Sequence, residues 1–268
     1  MITFPNAKIN LGLHITEKRS DGFHNLETVF YPVPWKDALE IVPSKGSVTT
    51  LSVSGKAIEG DPENNLVMKA YRLLEKDYQL LPLDIYLLKA IPFGAGLGGG
   101  SADAAFMLKL LSSYFGLKLT NEQLVAYAAQ LGSDCPFFIY NRPMLAAGRG
   151  EVLVPIDISL AGYTVVLVKP DFSISTPEAF SGITPKQPTN PLIQTLLQPV
   201  ETWKDRLVND FEDHLFAKHP QLAAIKAMLY DKGATYAAMS GSGSTIFGLF
   251  REDVEIHVPS GTVFKATL

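Results

Sequence analysis

The sequence predicts an α+β fold in two layers. Three observations predict it: strand-like and helix-like segments are mixed along the chain, its 268 residues suffice for one to two domains, and the pattern begins again after Gly148-Arg149-Gly150. We therefore expect an N-terminal domain over residues 1–150 and a C-terminal domain over residues 151–268.

The first element is predicted by strict alternation. Apolar residues stand at every second position from Ala7 to Ile15, and Lys8, Asn10 and His14 lie between them. A period of two predicts a half-buried strand on which Lys8 and Asn10 share one face, about 7 Å apart. On the residues alone, a solvent-facing polar side is favoured over a functional one.

The other elements of the N-terminal half follow from periodicity and turn signals. Further strands are predicted over 25–31, 38–42, 47–53 and 83–88. A helix is predicted over 66–78, with Asn64 or Asn65 as its N-cap. The next helix begins near Ser101 and ends at Gly116, and a capping box of Thr120 and Gln123 opens a helix that ends at Leu131.

The C-terminal half repeats the mixture. A strand is predicted over 163–168, helices over 201–216 and 221–232, and two strands joined by a Gly-Ser turn over 234–250. Whether the last strand packs on the second layer or returns to the first is left open by the pattern.

Composition excludes several classes of function. A formal net charge of -4 without a run of Lys or Arg argues against a nucleic-acid partner. The lone cysteine, Cys135, allows neither an intramolecular disulfide nor a thiolate zinc site. The longest apolar stretches are too short for a membrane span, and the first residues lack a signal-peptide pattern. We expect a cytoplasmic protein without a membrane partner.

The segment that carries most information is glycine-rich and lies between a predicted strand and a predicted helix. It consists of Pro92, Phe93, Gly94, Ala95, Gly96, Leu97, Gly98, Gly99, Gly100, Ser101 and Ala102. Glycines let a backbone approach a ligand closely, and the N–H groups at a helix start attract phosphate oxygens. The alternative is a flexible loop or a turn needed only for packing.

Two common phosphate motifs do not fit this segment. A Walker A loop would need Lys at position 100, where Gly100 stands. Gly94, Gly96 and Gly99 satisfy G-x-G-x-x-G, but the acidic residue at the required distance, Glu122, lies at a helix start and not at a strand end.

Three motifs in order make the sequence similar to the GHMP superfamily of small-molecule kinases. They are Pro5-Asn6-Ala7-Lys8-Ile9-Asn10-Leu11, the loop from Pro92 to Ala105, and Met239-Ser240-Gly241-Ser242-Gly243-Ser244. The resemblance covers nearly the whole chain. It implies an N-terminal layer like domain 2 of ribosomal protein S5 and a C-terminal ferredoxin-like layer.

Five segments, two of them within these motifs, resemble one branch of the superfamily, whose substrate is 4-diphosphocytidyl-2-C-methyl-D-erythritol of the non-mevalonate isoprenoid pathway. They are Ala7 to Leu11, Arg19-Ser20-Asp21-Gly22-Phe23-His24, Gly98 to Ala105, Gly132 to Phe138, and Asn209-Asp210-Phe211-Glu212. The resemblance implies ATP-dependent phosphorylation of the 2-hydroxyl of this substrate. A sibling kinase of the mevalonate or homoserine type, or an ATP-binding module without chemistry, remains the alternative.

The resemblance also implies roles for individual residues. Asp134 is the implied base, Lys8 the cation that lowers the pKa of Asp134 and stabilises the transferred phosphoryl group, and Asn10 a substrate ligand. By itself, an Asp before Cys-Pro is more often a helix cap.

The implied ligand-binding residues fall into two groups. Phe23, His24 and Phe180 match the cytosine-binding positions, although relatives often have Tyr at position 23 and Phe180 could equally be core. Asn65, Leu66 and Lys89 match positions that approach ATP. Mg²⁺ is expected with ATP, but the pattern identifies no protein ligands for it.

Overall fold

The fold is known from a computed structural model that describes residues 1–56 and 61–268. The strands are β1 (Ile2–Thr3), β2 (Asn6–Lys18), β3 (His24–Lys36), β4 (Ala38–Pro43), β5 (Thr50–Gly55), β6 (Leu83–Lys89), β7 (Met144–Ala147), β8 (Val152–Pro155), β9 (Thr164–Lys169), β10 (Tyr236–Met239), β11 (Ile246–Phe250) and β12 (Thr262–Thr267). The helices are α1 (Leu66–Tyr78), α2 (Gly99–Tyr114), α3 (Asn121–Leu131), α4 (Cys135–Tyr140), α5 (Thr176–Ser181), α6 (Leu192–Leu196), α7 (Phe211–Lys218) and α8 (Pro220–Asp231). The predicted α+β class is confirmed.

The chain forms two compact units, each assembled from separate stretches of sequence. Unit 1 comprises Met1–Ala7, Trp35–Phe93 and Gly98–Arg142. Unit 2 comprises Lys8–Pro34, Gly94–Leu97 and Pro143–Leu268. The predicted domain boundary near residue 150 concerns functional domains and stays a prediction.

Unit 1 is built on a four-stranded sheet in the order β1-β4-β6-β5. Strand β4 is antiparallel to β1 and to β6, whereas β5 runs parallel to β6. In β6, Leu83, Ile85 and Leu87 are buried, while Tyr86 and Leu88 are exposed. Burial therefore alternates along the strand predicted over 83–88, with one face in the core.

The helices of unit 1 begin where local signals place them. The Asn65 side chain accepts a hydrogen bond from the Val67 N–H and caps α1, which covers the predicted range. The capping box of Thr120 and Gln123 is present at α3. Helix α2 begins at Gly99, two residues before the predicted start, and packs against α1, α3 and α4.

Unit 2 contains two four-stranded sheets, in the orders β2-β3-β7-β8 and β10-β11-β9-β12. The predicted strand–turn–strand is the antiparallel pair of β10 and β11. Strand β12 pairs with β9, so the last strand lies in the C-terminal sheet. The core of this part includes Val166, Phe211, Leu215 and Met239.

The prediction of a half-buried first strand is wrong. Strand β2 is buried on both faces from Asn6 to Ile15, and Lys8 and Asn10 are only 3% and 2% exposed. The close packing shows at Gly12, whose φ is +67° and where a Cβ atom would lie 2.6 Å from the Leu192 and Leu207 side chains. Polar side chains on such a strand need internal partners.

The predicted helix over 201–216 is also wrong. A 3₁₀ turn over Val200–Thr202 is followed by non-helical backbone, and α7 begins only at Phe211. The backbone between them bonds to β2: the Leu13 N–H donates to the Val208 carbonyl and the Asp210 N–H to the Leu13 carbonyl. Pairing with a distant strand overrides local helix preference here.

Candidate active site

In unit 2, the Lys8 ammonium is buried against polar atoms of its own strand and of the glycine-rich loop. Its Nζ lies 2.7 Å from Asn10 Oδ1 and 3.0 Å from the Gly96 carbonyl oxygen. The ring centroid of Phe30 lies 5.1 Å from the same nitrogen. Lys8 and Asn10 thus share one face of the strand, as predicted, and their side chains form a direct hydrogen bond. This bond fixes a positive charge beside the loop.

The Asn10 amide has a defined orientation. Its oxygen accepts from Lys8, and its Nδ2 donates to Thr28 Oγ1 at 3.0 Å. The Thr28 hydroxyl in turn donates to the Gly12 carbonyl. Because donors and acceptors alternate along this chain of bonds, the amide oxygen of Asn10 is held towards the ammonium.

The part of the loop in unit 2 meets the Gly-Ser turn that follows β10. Ser240 Oγ donates to the Gly96 carbonyl at 2.8 Å, the same oxygen that accepts from Lys8. Gly96 has a φ of +74°, and a Cβ atom there would lie 2.0 Å from the Ser240 carbonyl oxygen. Only glycine fits at position 96. The three motifs found in the sequence therefore converge on one carbonyl group.

The part of the loop in unit 1 forms the start of α2. Gly98 has a φ of +69° at the N-cap, and its carbonyl accepts the first helical bond, from the Ala102 N–H. A Cβ atom on Gly99 would lie 2.9 Å from the Ile91 side chain. The first N–H groups of a helix have no acceptor within it, so this 16-residue helix offers donors and the positive end of its dipole.

Lys89 lies at the end of β6, just before the loop, in a buried ion cluster. Its Nζ bonds to Asp37 and, at 2.6 Å, to Asp103 Oδ2. Asp37 Oδ1 also accepts from the N–H groups of Ala90 and Ile91, at 2.6 and 2.8 Å. The cluster ties the residues that enter the loop to the first turns of α2. Sequence reasoning named Lys89 but missed both carboxylates.

Burial dominates the chemistry of Asp103. Removal from water raises the pKa of this carboxyl from 3.8 to about 7, although the Lys89 charge opposes the shift. Its Oδ1 atom has no hydrogen-bond partner among residues 1–56 and 61–268. Burial therefore favours the protonated, uncharged form of this carboxyl.

Asn65 and Leu66 lie at the start of α1. The Asn65 side chain is the cap of that helix, and the Leu66 side chain lies 3.7 Å from the position of a Cβ atom on Gly100. Leu66 therefore borders the glycine-rich loop within unit 1.

Asp134 is half-buried at the N-cap position of α4, in helical backbone conformation and without a side-chain capping bond. The helix-cap alternative is thus not observed. The adjacent Cys135 is fully buried, and burial raises the pKa of its thiol to about 12. A buried thiol of this kind is unreactive, and Cys135 is a packing residue.

Two of the three predicted base-binding residues contact each other in unit 2. The His24 and Phe180 rings are stacked with centroids 4.9 Å apart and planes at 24°, and Phe180 also meets Phe211 edge-on. Phe23 is 55% exposed, and the guanidinium of Arg149 lies 5.0 Å from its ring centroid. Arg149 was not found by sequence reasoning, because only the fold brings the turn after β7 beside Phe23.

Two further properties concern metals and membranes. The described stretches, 1–56 and 61–268, contain no group of three His, Cys, Asp or Glu side chains placed to hold a metal ion. Among the same residues, no helix combines the length and the apolar character that crossing a membrane requires.

Family models match both halves of the chain. The model for the GHMP kinases N terminal domain matches residues 65–142, and that for the GHMP kinases C terminal matches residues 195–257.

Curated relatives match almost end to end. A 4-diphosphocytidyl-2-C-methyl-D-erythritol kinase of Bacteroides fragilis is 59% identical over 96% of this chain and 94% of its own length. A protein of the same name from Bacteroides thetaiotaomicron is 56% identical over 94% of this chain and 93% of its own length.

Solved structures of kinases are also similar to this chain. A crystal structure of 4-(cytidine 5'-diphospho)-2C-methyl-D-erythritol kinase superposes with a TM-score of 0.78 at 32% identity, covering 93% of this chain and 90% of that one. The mevalonate kinase of Methanococcus jannaschii gives a TM-score of 0.70 at 13% identity, covering 99% of this chain and 97% of that one, which shows a shared fold.

Proposed function

The chain belongs to the GHMP kinases and, within them, to the family of 4-diphosphocytidyl-2-C-methyl-D-erythritol kinases, and from this premise we propose how its residues divide the reaction among them. The chain is an ATP-dependent kinase that phosphorylates the 2-hydroxyl of that substrate. The roles proposed for its residues depend chiefly on one observation: Lys8 and Ser240 both donate to the Gly96 carbonyl, so the three motifs meet at one point.

ATP is held by the loop from Pro92 to Ala102. The N–H groups and the dipole of the first turn of α2 attract its phosphates, and the glycines let them approach the backbone. Asn65 and Leu66 border the nucleotide from the start of α1. Lys89 approaches it from the end of β6, where its ammonium is fixed by Asp37 and Asp103.

The chemical step needs a proton acceptor and a cation. Phosphoryl transfer has a loose transition state, so positioning and charge stabilisation supply most of the catalysis. Asp134 accepts the proton of the 2-hydroxyl as the new O–P bond forms and the bond from the γ-phosphorus to the β-phosphate of ATP breaks, with ADP as the leaving group. Lys8 stabilises the charge on the transferred group, and Asn10 binds the substrate next to it. The dry surroundings of Lys8 strengthen its electrostatic effect.

The cytidine diphosphate part of the substrate is bound in unit 2. Phe23 and Phe180 offer faces for the cytosine ring, and His24 offers a ring nitrogen to its edge. The His24 ring is stacked on the Phe180 ring. Binding of a base between Phe23 and Phe180 therefore requires the His24 and Phe180 rings to separate. Loss of one aromatic contact is a small cost beside the stacking gained with a base.

Mg²⁺ enters as the ATP complex. Mg²⁺ prefers its own waters, substrate phosphates and one or two carboxylates, so ATP phosphates are its expected ligands. The ion neutralises phosphate charge when bound. The lone cysteine, without a disulfide partner, fits the reducing cytoplasm.

A substrate panel tests the proposed activity. The purified chain is incubated with MgATP and, separately, with the cytidyl substrate, mevalonate and homoserine, and ADP release is measured. We expect turnover with the cytidyl substrate alone. Turnover of mevalonate or homoserine instead would assign a sibling reaction, and ATP binding without ADP release would indicate a binding module.

A further inference from the structure

One motif of the family resemblance has no part in the proposed reaction: Asn209-Asp210-Phe211-Glu212, just before and at the start of α7. We propose that Asn209 is a positioning residue for phosphoryl transfer. Its amide fixes the Ser240–Gly241 turn, and that turn holds the Gly96 carbonyl that receives the Lys8 ammonium. The inference rests on the proposed role of Lys8.

The Asn209 side chain is 3% exposed, and its contacts define its orientation. Nδ2 donates to the carbonyl oxygens of Met239 and Gly241, both at 2.8 Å. Oδ1 accepts from the Phe211 N–H at 3.0 Å. Two donors on one atom and an acceptor on the other are what a neutral amide provides, so neither a carboxylate nor a hydroxyl reproduces the pattern.

The turn held by Asn209 touches the Lys8 site directly. Ser240 Oγ donates to the Gly96 carbonyl at 2.8 Å, beside the 3.0 Å bond from Lys8 Nζ. A Cβ atom on Gly241 would lie 3.2 Å from the same carbonyl oxygen and 3.3 Å from Asn10 Oδ1. The backbone of the turn thus abuts both acceptors of the ammonium. Interiors are close-packed, so a displaced turn displaces these acceptors.

The rest of the motif fixes the frame on which Asn209 acts. Glu212 accepts from the Met239 N–H at 2.7 Å and pairs with Lys226. Asp210 accepts from the Ile15 N–H of β2 at 2.8 Å. The motif is therefore bonded both to the strand that carries Lys8 and to the end of β10, and Asn209 is its contact with the turn itself.

A purely structural role and a positioning role predict different kinetics. A buried amide that only stabilises the fold changes the free energy of unfolding but leaves kcat of the folded enzyme intact. A residue that positions Lys8 lowers kcat in enzyme that is still folded, because the charge is needed in the transition state.

The test is a double-mutant cycle of Asn209→Ala and Ser240→Ala, with kcat and both KM values measured below the unfolding transition. We expect Asn209→Ala to lower kcat about 10- to 100-fold. We expect kcat of the double variant to lie within about threefold of kcat of Asn209→Ala, since Asn209 acts on the Gly96 carbonyl through the turn whose hydroxyl bond to that carbonyl Ser240→Ala removes. Thr195→Val removes another buried hydroxyl bond of unit 2, to Pro191, and serves as control with kcat within about twofold.

Two outcomes overturn the inference: kcat of Asn209→Ala within about threefold of the parent, or effects that multiply in the double variant. If Asn209→Ala does not fold, Asn209→Ser is measured against the same limits. Lys8→Met separates the premises. If Lys8→Met keeps kcat, the proposed role of Lys8 fails; if it loses kcat while Asn209→Ala keeps it, only the inference fails.

Discussion

At the scale of single residues, Asp134 stands at the start of α4, where its side chain makes no capping bond. Asp134→Asn keeps the size of the side chain and removes the proposed proton acceptor. We expect kcat to fall by about 10²-fold or more, with smaller changes in both KM values. Steady-state kinetics measure this. Ser133→Ala changes the neighbouring residue and should leave kcat unaltered; near-normal turnover of Asp134→Asn would remove Asp134 from the role of base.

Phe180 has contacts that fit both a core residue and a base-binding residue. Phe180→Leu keeps much of the apolar volume but loses the ring face. We expect KM for the cytidyl substrate to rise about tenfold, as the loss of one stacking contact predicts, with KM for ATP unchanged.

Phe172→Leu is the matched control for Phe180→Leu. Phe172 is stacked on His219 with centroids 5.1 Å apart and planes at 22°, nearly the geometry of Phe180 on His24. This variant should leave both KM values unchanged. Equal effects of the two substitutions would mean that Phe180 acts only as core.

Asp103 makes stability depend on pH. Its pKa is raised from 3.8 to about 7 by burial, so the folded state binds a proton that the unfolded state releases. The resulting stabilisation of the folded state is fully present below about pH 4 and is lost as the pH rises through about 7. As the pH rises from about 5 to about 8, the parent loses this stabilisation and Asp103→Asn does not. We therefore expect the unfolding free energy of Asp103→Asn minus that of the parent to increase over this range, by at most about 1.4 kcal/mol per pH unit.

Urea unfolding at several pH values measures the effect of Asp103→Asn. The exposed carboxylate of Asp171 provides the control, and Asp171→Asn should leave the pH dependence as it is. An Asp103→Asn variant whose pH dependence matches that of the parent would contradict the assignment of the titration to Asp103.

At the scale of elements, the loop and the Gly-Ser turn are fitted to each other at Gly96. Gly96→Ala places a Cβ atom 2.0 Å from a backbone oxygen of Ser240 and forces a non-glycine residue to a φ of +74°. We expect a fall in unfolding free energy of several kcal/mol and loss of activity in whatever remains folded.

Gly116→Ala distinguishes the cost of a positive φ at a non-glycine residue from the cost of a steric clash of the Cβ atom. Gly116 has a similar φ, +64°, but nothing lies within 4 Å of the position that a Cβ atom would take there. The substitution should cost only the backbone strain, about 1 kcal/mol, and keep full kcat. Equal losses in the two variants, by thermal unfolding, would show that the turn yields to a Cβ atom at position 96.

The elements that the sequence predicted well depend on local signals. Helix α1 covers its predicted range because Asn65 caps it, and α3 follows from its capping box. The helix predicted over 201–216 failed because residues 208 and 210 bond to Leu13, almost two hundred positions away. Such pairing leaves no periodic trace in the sequence.

The same distinction holds for the site. The contact between Lys8 and Asn10 follows from the period of a strand, since the residues are two positions apart. The partners of Lys89 do not follow from spacing: Asp37 lies 52 positions away and Asp103 lies 14. No feature of the sequence distinguishes these two carboxylates from other polar residues, because only the fold brings both to the Lys89 ammonium.

At the scale of the whole molecule, the division into units has a consequence for folding. Unit 2 combines Lys8–Pro34 and Gly94–Leu97 with Pro143–Leu268. The bond from Ser240 to Gly96 joins residues 144 positions apart. Contacts of such separation cost loop-closure entropy before they stabilise the fold.

The lone thiol reports on the opening of unit 1. Cys135 is fully buried with a pKa of about 12, so a thiol reagent reacts only when the unit opens. We expect the thiol of the native enzyme to be labelled slowly at about pH 8 and rapidly in denaturant. Mass spectrometry measures the labelled fraction over time. MgATP at about 100 times its dissociation constant should slow labelling about 100-fold, because it binds the closed state alone.

The control for this labelling experiment is Mg²⁺ without nucleotide, which should leave the labelling rate unchanged because the ion enters with ATP. Rapid labelling of native enzyme would contradict the buried position of Cys135. A labelling rate indifferent to MgATP, with catalysis intact, would mean that the nucleotide is bound without stabilising unit 1, and would move the phosphate site away from the start of α2.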